Sequence, residues 1–187
     1  MQKHSSDSIV YGTEIAEKMK NNVKKEVKSL TQELERKPKV VSIIVGDNKE
    51  SKLYLKLRNK AFFEVGIDAI QYEFPNAVTE RELLSKLKDI NVDPSIDGIF
   101  VQLPLPNHID TQRVLSFINP KKDVEGFTSE NMGQLVNGIS HLVPCTAKAV
   151  MKILEYYNVI LEGKHVVIVN HSTVVGKPLA LLCLAKN

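Results

Sequence analysis

The sequence predicts an α/β protein, with a three-layer α/β unit over residues 1–143 followed by the start of a second unit over residues 144–187. Segments whose apolar residues recur every three or four positions alternate with short β-branched runs, and this βαβα order places a mostly parallel sheet between helices. The runs are bounded by Gly, Pro, Asn and Asp, the residues of turns. With 43% apolar and 25% charged residues, the chain has the balance of one that buries a core.

The elements follow in order. "GTEIAEKMKNNVKKEVKSLTQELERK" sets Ile15, Met19, Val23, Val27 and Leu30 on one stripe of a long helix. "KVVSIIVG" is a buried strand ending at Gly46, "SKLYLKLRNKAFFEVG" a helix and "IDAIQYEF" an alternating strand. "TERELLSKLKDI" is a helix with Thr79 as its cap. "IDGIFVQLPLP" is a strand leaving through prolines, and "DTQRVLSFI" a short helix. The Gly-, Asp- and Asn-containing stretch "KKDVEGFTSENMGQLVNG" reads as loop. "CTAKAVMKILEYYN" is a helix, "KHVVIVN" (164–170) a strand, and "TVVGKPLALLCLAKN" opens a helix with Pro178 in its first turn, where a missing N–H costs nothing. A doubly wound nucleotide domain needs several βα repeats, so the second unit reads as a fragment or a vestige.

Composition excludes several classes. A net charge of +3 without a dense Lys/Arg block argues against nucleic acid. No run approaches the ~18 apolar residues of a membrane span, and the start has no apolar signal core. Cys145 and Cys183 lack ligand or CxxC spacing, which together with these absences suggests a cytoplasmic protein in a reducing compartment. His4, His108, His141 and His165 show no metal-ligand spacing, and no metal site is expected.

Chemistry concentrates where polar residues interrupt the packing pattern. At 100° per residue, Ser51, Tyr54 and Arg58 share one helix face, whereas Lys56 and Lys60 lie about 200° and 240° from Tyr54. Such a Tyr/Arg pair is either surface packing or a site. Gln102 follows three apolar residues at a strand's C-terminal end, where α/β sheets present ligand-facing groups, though it also suits a loop backbone partner. Asp123 serves equally well as a loop cap. Cys145, at a helix start after a proline, has the placement for a lowered pKa, with packing or capping as the competing reading.

Five stretches, "VGDNKESKLYLKLRNKAFFEVGI", "VQLPLPNHI", "PKKDVEGFTSENMGQL", "VPCTAKAV" and "VVIVNHSTVVGKPLA", resemble in order and spacing the bifunctional methylenetetrahydrofolate dehydrogenase/methenyltetrahydrofolate cyclohydrolase family. The resemblance implies a folate-binding catalytic domain over 1–143, the start of a Rossmann-like NADP domain over 144–187, a tetrahydrofolate derivative in the cleft between them, and a homodimer. It implies Tyr54, Arg58 and Gln102 as catalytic residues, and Tyr54, Arg58, Val101, Gln102, Leu103 and Glu125 as substrate contacts. Tyr54 would stack on the pterin or aminobenzoyl ring. The family's lysine four residues after this tyrosine is Arg58 here, a guanidinium that orients and polarises but is a poor acid or base. The family's second aspartate in KDVDGF is Glu125 here, with its carboxylate displaced by about 1 Å. The family's GRS turn is Asn170, His171 and Ser172 here, and the resemblance implies these as the contacts of a nicotinamide dinucleotide, NADP or NAD, at a helix N-terminus, with a neutral imidazole that holds a phosphate less firmly than the family's arginine. A second functional reading is a non-catalytic folate-binding or interaction module derived from this family.

Overall fold

A computed structural model describes residues 9–186. His4, expected at the surface, lies outside the described residues. Three strands form one parallel sheet in the order β2-β1-β3. These are β1 (Lys39–Val45), β2 (Asp68–Phe74) and β3 (Gly98–Val101). In register, Ile43 stands between Tyr72 and Val101. β1 is central, and from Val40 to Val45 every residue is buried, which is why its sequence runs apolar without alternation.

The faces of β1 separate two packing layers. Val41, Ile43 and Val45 point to a core completed by Leu83, Leu87 and Ile90 of α3 (Glu80–Val92) and by Val114 and Leu115 of α4 (Thr111–Phe117). Ile44 points the other way, onto Leu55 of α2 (Lys49–Val65) and Phe100. Between those apolar neighbours, on the α2 side, sits Ser42 with no solvent exposure. α1 (Thr13–Leu34) packs on α2. Of its predicted stripe, Ile15 and Val27 are buried, whereas Met19, Val23 and Leu30 are 38–42% exposed. Thr79 caps α3 as expected: its Oγ1 accepts from Glu82 N and its N donates to Glu82 Oε2, a reciprocal capping box.

Two expectations are corrected. The stretch read as loop contains α5 (Ser129–Val136), because Thr128 caps it by accepting from Asn131 N, and the isolated glycines at 133 and 138 do not outweigh that cap. Residues 164–170, read as a strand, form none: no strand of the sheet lies alongside them, and Val167 and Val169 are 72% and 97% exposed. β-branched composition favours an extended backbone but supplies no ladder partner. This segment lies between α6 (Cys145–Tyr156) and α7 (Gly176–Leu184), two helices that pack on each other.

Candidate active site

The cleft begins with the cap of α2. Asn48 Oδ1 accepts from Ser51 N at 2.8 Å and fixes the phase of the helix. Ser51 and Leu55 are then buried, Tyr54 stands 54% exposed at the cleft, and Lys56 and Lys60 project into solvent. Opposite, β3 delivers Gln102, whose N still donates to Ile43 O at 2.8 Å. Its Nε2 donates to Leu103 O at 2.7 Å, while its buried Oε1 has no partner among the described residues. A buried acceptor without a donor is costly, and a ligand donor relieves it.

The third wall is the loop after α4. It runs beside β3 through Ile99 N donating to Lys122 O at 2.6 Å and a bridge between Ile99 and Asp123. Asp123, 1% exposed, accepts from Thr128 N, Asn131 Nδ2 and Glu125 N at 2.8, 2.9 and 3.2 Å. It is the organiser of the loop, in keeping with the capping alternative. Gly126 has φ +68°, and a Cβ there would lie 2.7 Å from Leu142 O. That close approach aims the preceding Glu125 at the cleft.

Tyr54, Gln102, Leu103 and Glu125 therefore meet around a cleft of about 180 Å³, joined by Phe100, Phe127, Thr146, Val174 and Val175. Val101 is 1% exposed, with its side chain in the core facing α3, so it supports Gln102 without lining the cleft. Arg58 is half-buried beneath: its Nη2 donates to Ser42 Oγ, and its Cζ lies 3.6 Å from the Phe100 ring centroid. Burial lowers the guanidinium's pKa, against the pull of Tyr54 and Glu125. Burial pushes the Glu125 carboxyl up to about 8, with Arg58 drawing it down and Asp123 pushing it further up. At Cys145 the dipole expectation is corrected: although the residue is exposed, desolvation of the thiol, reinforced by Glu125, raises its pKa.

The residues sequence reasoning missed are mostly apolar. Phe127, Val174 and Val175 carry no signal that separates them from core. Ser42 does carry one, a hydroxyl inside a β-branched run.

The turn before α7 is closed on itself. Asn170 Oδ1 accepts from Ser172 N, Ser172 Oγ and Gly176 N at 2.9, 2.8 and 3.1 Å, and Ser172 Oγ accepts from Val175 N at 3.1 Å. A Cβ on Gly176 would lie 2.0 Å from Asn170 O, the kind of close helix approach that glycine permits in phosphate-binding turns. The N–H groups of Ser172 and Gly176, which a cofactor phosphate at this turn would use, are taken by the Asn170 amide oxygen, so a phosphate would have to displace it. Among the described residues there is no His/Cys/Asp/Glu group suited to a metal ion, and no helix is long and apolar enough to cross a membrane.

The family model described as the tetrahydrofolate dehydrogenase/cyclohydrolase catalytic domain matches residues 10–125, and the model of the NAD(P)-binding domain of the same family matches residues 144–187. The chain belongs to the tetrahydrofolate dehydrogenase/cyclohydrolase family. It is 46% identical over 175 residues to the bifunctional protein FolD of Nautilia profundicola, covering 92% of this chain and 60% of that one. To the FolD of Methanococcoides burtonii it is 42% identical over 187 residues, covering 100% and 65%. Among solved structures, the bifunctional FolD enzyme of Campylobacter jejuni superposes with a TM-score of 0.90 at 38% identity, covering 94% of this chain and 62% of that one. The FolD of Trypanosoma brucei, complexed with NADP cofactor and an inhibitor, superposes at 0.92 with 33% identity, covering 98% and 63%. The chain spans 60–65% of the length of these two curated FolD relatives.

Proposed function

We propose that the chain forms the folate cleft of a dehydrogenase/cyclohydrolase acting in one-carbon metabolism. The reaction is oxidation of 5,10-methylenetetrahydrofolate to 5,10-methenyltetrahydrofolate, followed by hydrolysis to 10-formyltetrahydrofolate. The observation that carries this reading is the convergence of Tyr54, Gln102 and Glu125, from three separate segments, on one cleft. Tyr54 offers an exposed ring for stacking, Gln102 Oε1 a buried acceptor awaiting a donor, Leu103 an apolar wall, and Glu125 a carboxyl that, once ionised, is a forked acceptor for adjacent N–H groups of a pterin. Arg58 contributes a fixed positive charge at the floor. The turn of Asn170, His171 and Ser172 would hold part of a nicotinamide dinucleotide, NADP or NAD, which when bound supplies the hydride acceptor. In this reading residues 1–143 form the folate-binding domain and 144–187 begin the nucleotide domain, in a cytoplasmic homodimer.

Titration of the 187-residue chain with 5-formyltetrahydrofolate, a stable reduced folate, tests the cleft. Binding is expected, and Tyr54→Ala should weaken it about tenfold, the worth of one aromatic stack. Absence of binding by the unaltered chain sinks the reading. A second reading, a folate-binding module without turnover, is favoured by the unpaired backbone of residues 164–170. A spectrophotometric assay with methylenetetrahydrofolate and NAD or NADP separates the two.

A further inference from the structure

Every main-chain donor from Val175 to Leu179, where α7 begins, is already engaged. Val175 N donates to Ser172 Oγ at 3.1 Å, Gly176 N to Asn170 Oδ1 at 3.1 Å, Lys177 N to Ser172 O at 3.0 Å and Leu179 N to Val175 O at 2.9 Å, while Pro178 has no N–H to offer. The Ser172 and Val175 carbonyls are main chain and cannot leave without unwinding the turn. The Ser172 hydroxyl donates in its turn to Asn170 Oδ1 at 2.8 Å, so the arrangement hangs on one carboxamide oxygen.

That oxygen also accepts from Ser172 N at 2.9 Å, and so gathers main-chain N–H groups and a hydroxyl on a single point. Main-chain N–H groups only donate, which fixes the amide with Oδ1 inward. N–H groups converging at a helix N-terminus are the donor set that a phosphate oxygen takes, and the amide oxygen fills that place with a partial charge instead of a full one. The shape of the turn does not depend on the side chain. Gly176 is buried with its backbone packed on that of Asn170, so closely that a Cβ would lie 2.0 Å from Asn170 O. Asn170 itself is exposed, and its carboxamide can rotate into water without disturbing the core. Lys177, exposed in the first turn of α7, adds a cation to that end of the helix.

We propose that Asn170 is a built-in occupant of the phosphate-binding turn and thereby a determinant of dinucleotide affinity: its carboxamide oxygen holds the N–H groups of Ser172 and Gly176, and the turn takes the diphosphate of a nicotinamide dinucleotide only when that side chain rotates out. The identity of the anion rests on the dinucleotide reading of this turn; the occupation of its donors does not. Apparent affinity falls by the fraction of chains in which the side chain is out. Two hydrogen bonds of ordinary net strength make that fraction roughly a tenth or less.

The test is an amide NMR titration of the full 187-residue chain with inorganic pyrophosphate and, in parallel, with NADP. In the unaltered chain the Ser172 and Gly176 resonances should move only at high pyrophosphate, and in Asn170→Ala at concentrations about tenfold lower. Asn170→Asp keeps the acceptor and sets a negative charge on the same donors, so it should bind pyrophosphate about tenfold more weakly than the unaltered chain. This variant carries the test where alanine loosens α7. A folded Asn170→Ala chain with no gain in pyrophosphate affinity overturns the proposal, and so does an Asn170→Asp chain that binds as well as the unaltered one. Movement of the Ser172 and Gly176 amides on NADP binding, with the Asn170 side-chain amide resonances left in place, overturns it equally. Should Asn170→Ala gain affinity for pyrophosphate yet hold NADP no more tightly than pyrophosphate, the occupant role stands and the dinucleotide reading of the turn falls.

Discussion

The two parts of the chain treat similar sequences differently. "KVVSIIV" and "KHVVIVN" are both β-branched runs that begin with a lysine, yet the first is the fully paired centre of a sheet and the second pairs with nothing among the described residues. Val41 and Ile43 have no solvent exposure, whereas Val169 is 97% exposed. The lesson is that strand propensity measures fitness for a pleated, half-buried surface, and the surface has to come from neighbours. In residues 10–125 those neighbours arrive through two crossovers, via α2 and α3. In residues 144–186 what holds the structure is the pairing of α6 with α7 and the closed turn at Asn170.

Three substitutions sharpen that contrast, from the largest effect to the smallest. Leu83→Ala removes a side chain with no exposure from the core beneath β1, and should cost about 2–5 kcal/mol in chemical denaturation of the whole chain. Gly176→Ala places a methyl 2.0 Å from the Asn170 carbonyl oxygen, and should cost about 1–3 kcal/mol. Its effect should be local, with amide exchange accelerated across α7 and unchanged in β1. If Gly176→Ala instead lowers the denaturation midpoint of the entire chain, the two parts unfold as one unit. Val169→Ser should stay within about 0.5 kcal/mol of the unaltered chain, because that side chain touches little. A large loss would show that residues 164–170 pack in solution.

Much of the fold was legible in the sequence because it rests on local patterns. The periodicity of α2, the apolar run of β1 and the Thr79 box each depend on residues a few positions apart. The helical phase of "LYLKLRNK" separated Arg58 from Lys56 and Lys60, and the structure half-buries the first and exposes the others. What was not legible depends on distant partners. Ser42 and Arg58 meet across 16 positions, so the hydroxyl inside β1 marks a polar point in the strand without revealing which side chain it holds. Val174 and Val175 reach the cleft from the far end of the chain, and no spacing rule connects them to Tyr54. Residues 164–170 failed for the opposite reason, since their local pattern was strong and the required neighbours are absent from the sheet.

The close approach at Gly126 has a mechanical consequence. With its backbone against the carbonyl of Leu142, the loop that presents Glu125 is braced by the segment that leads into α6, and Cys145 Sγ reaches back to Val124 O at 3.6 Å. The acidic wall of the cleft and the start of that helix are therefore braced against each other. Thr146 and Glu125 line the cleft from this braced piece, whereas Val174 and Val175 reach it from outside the brace.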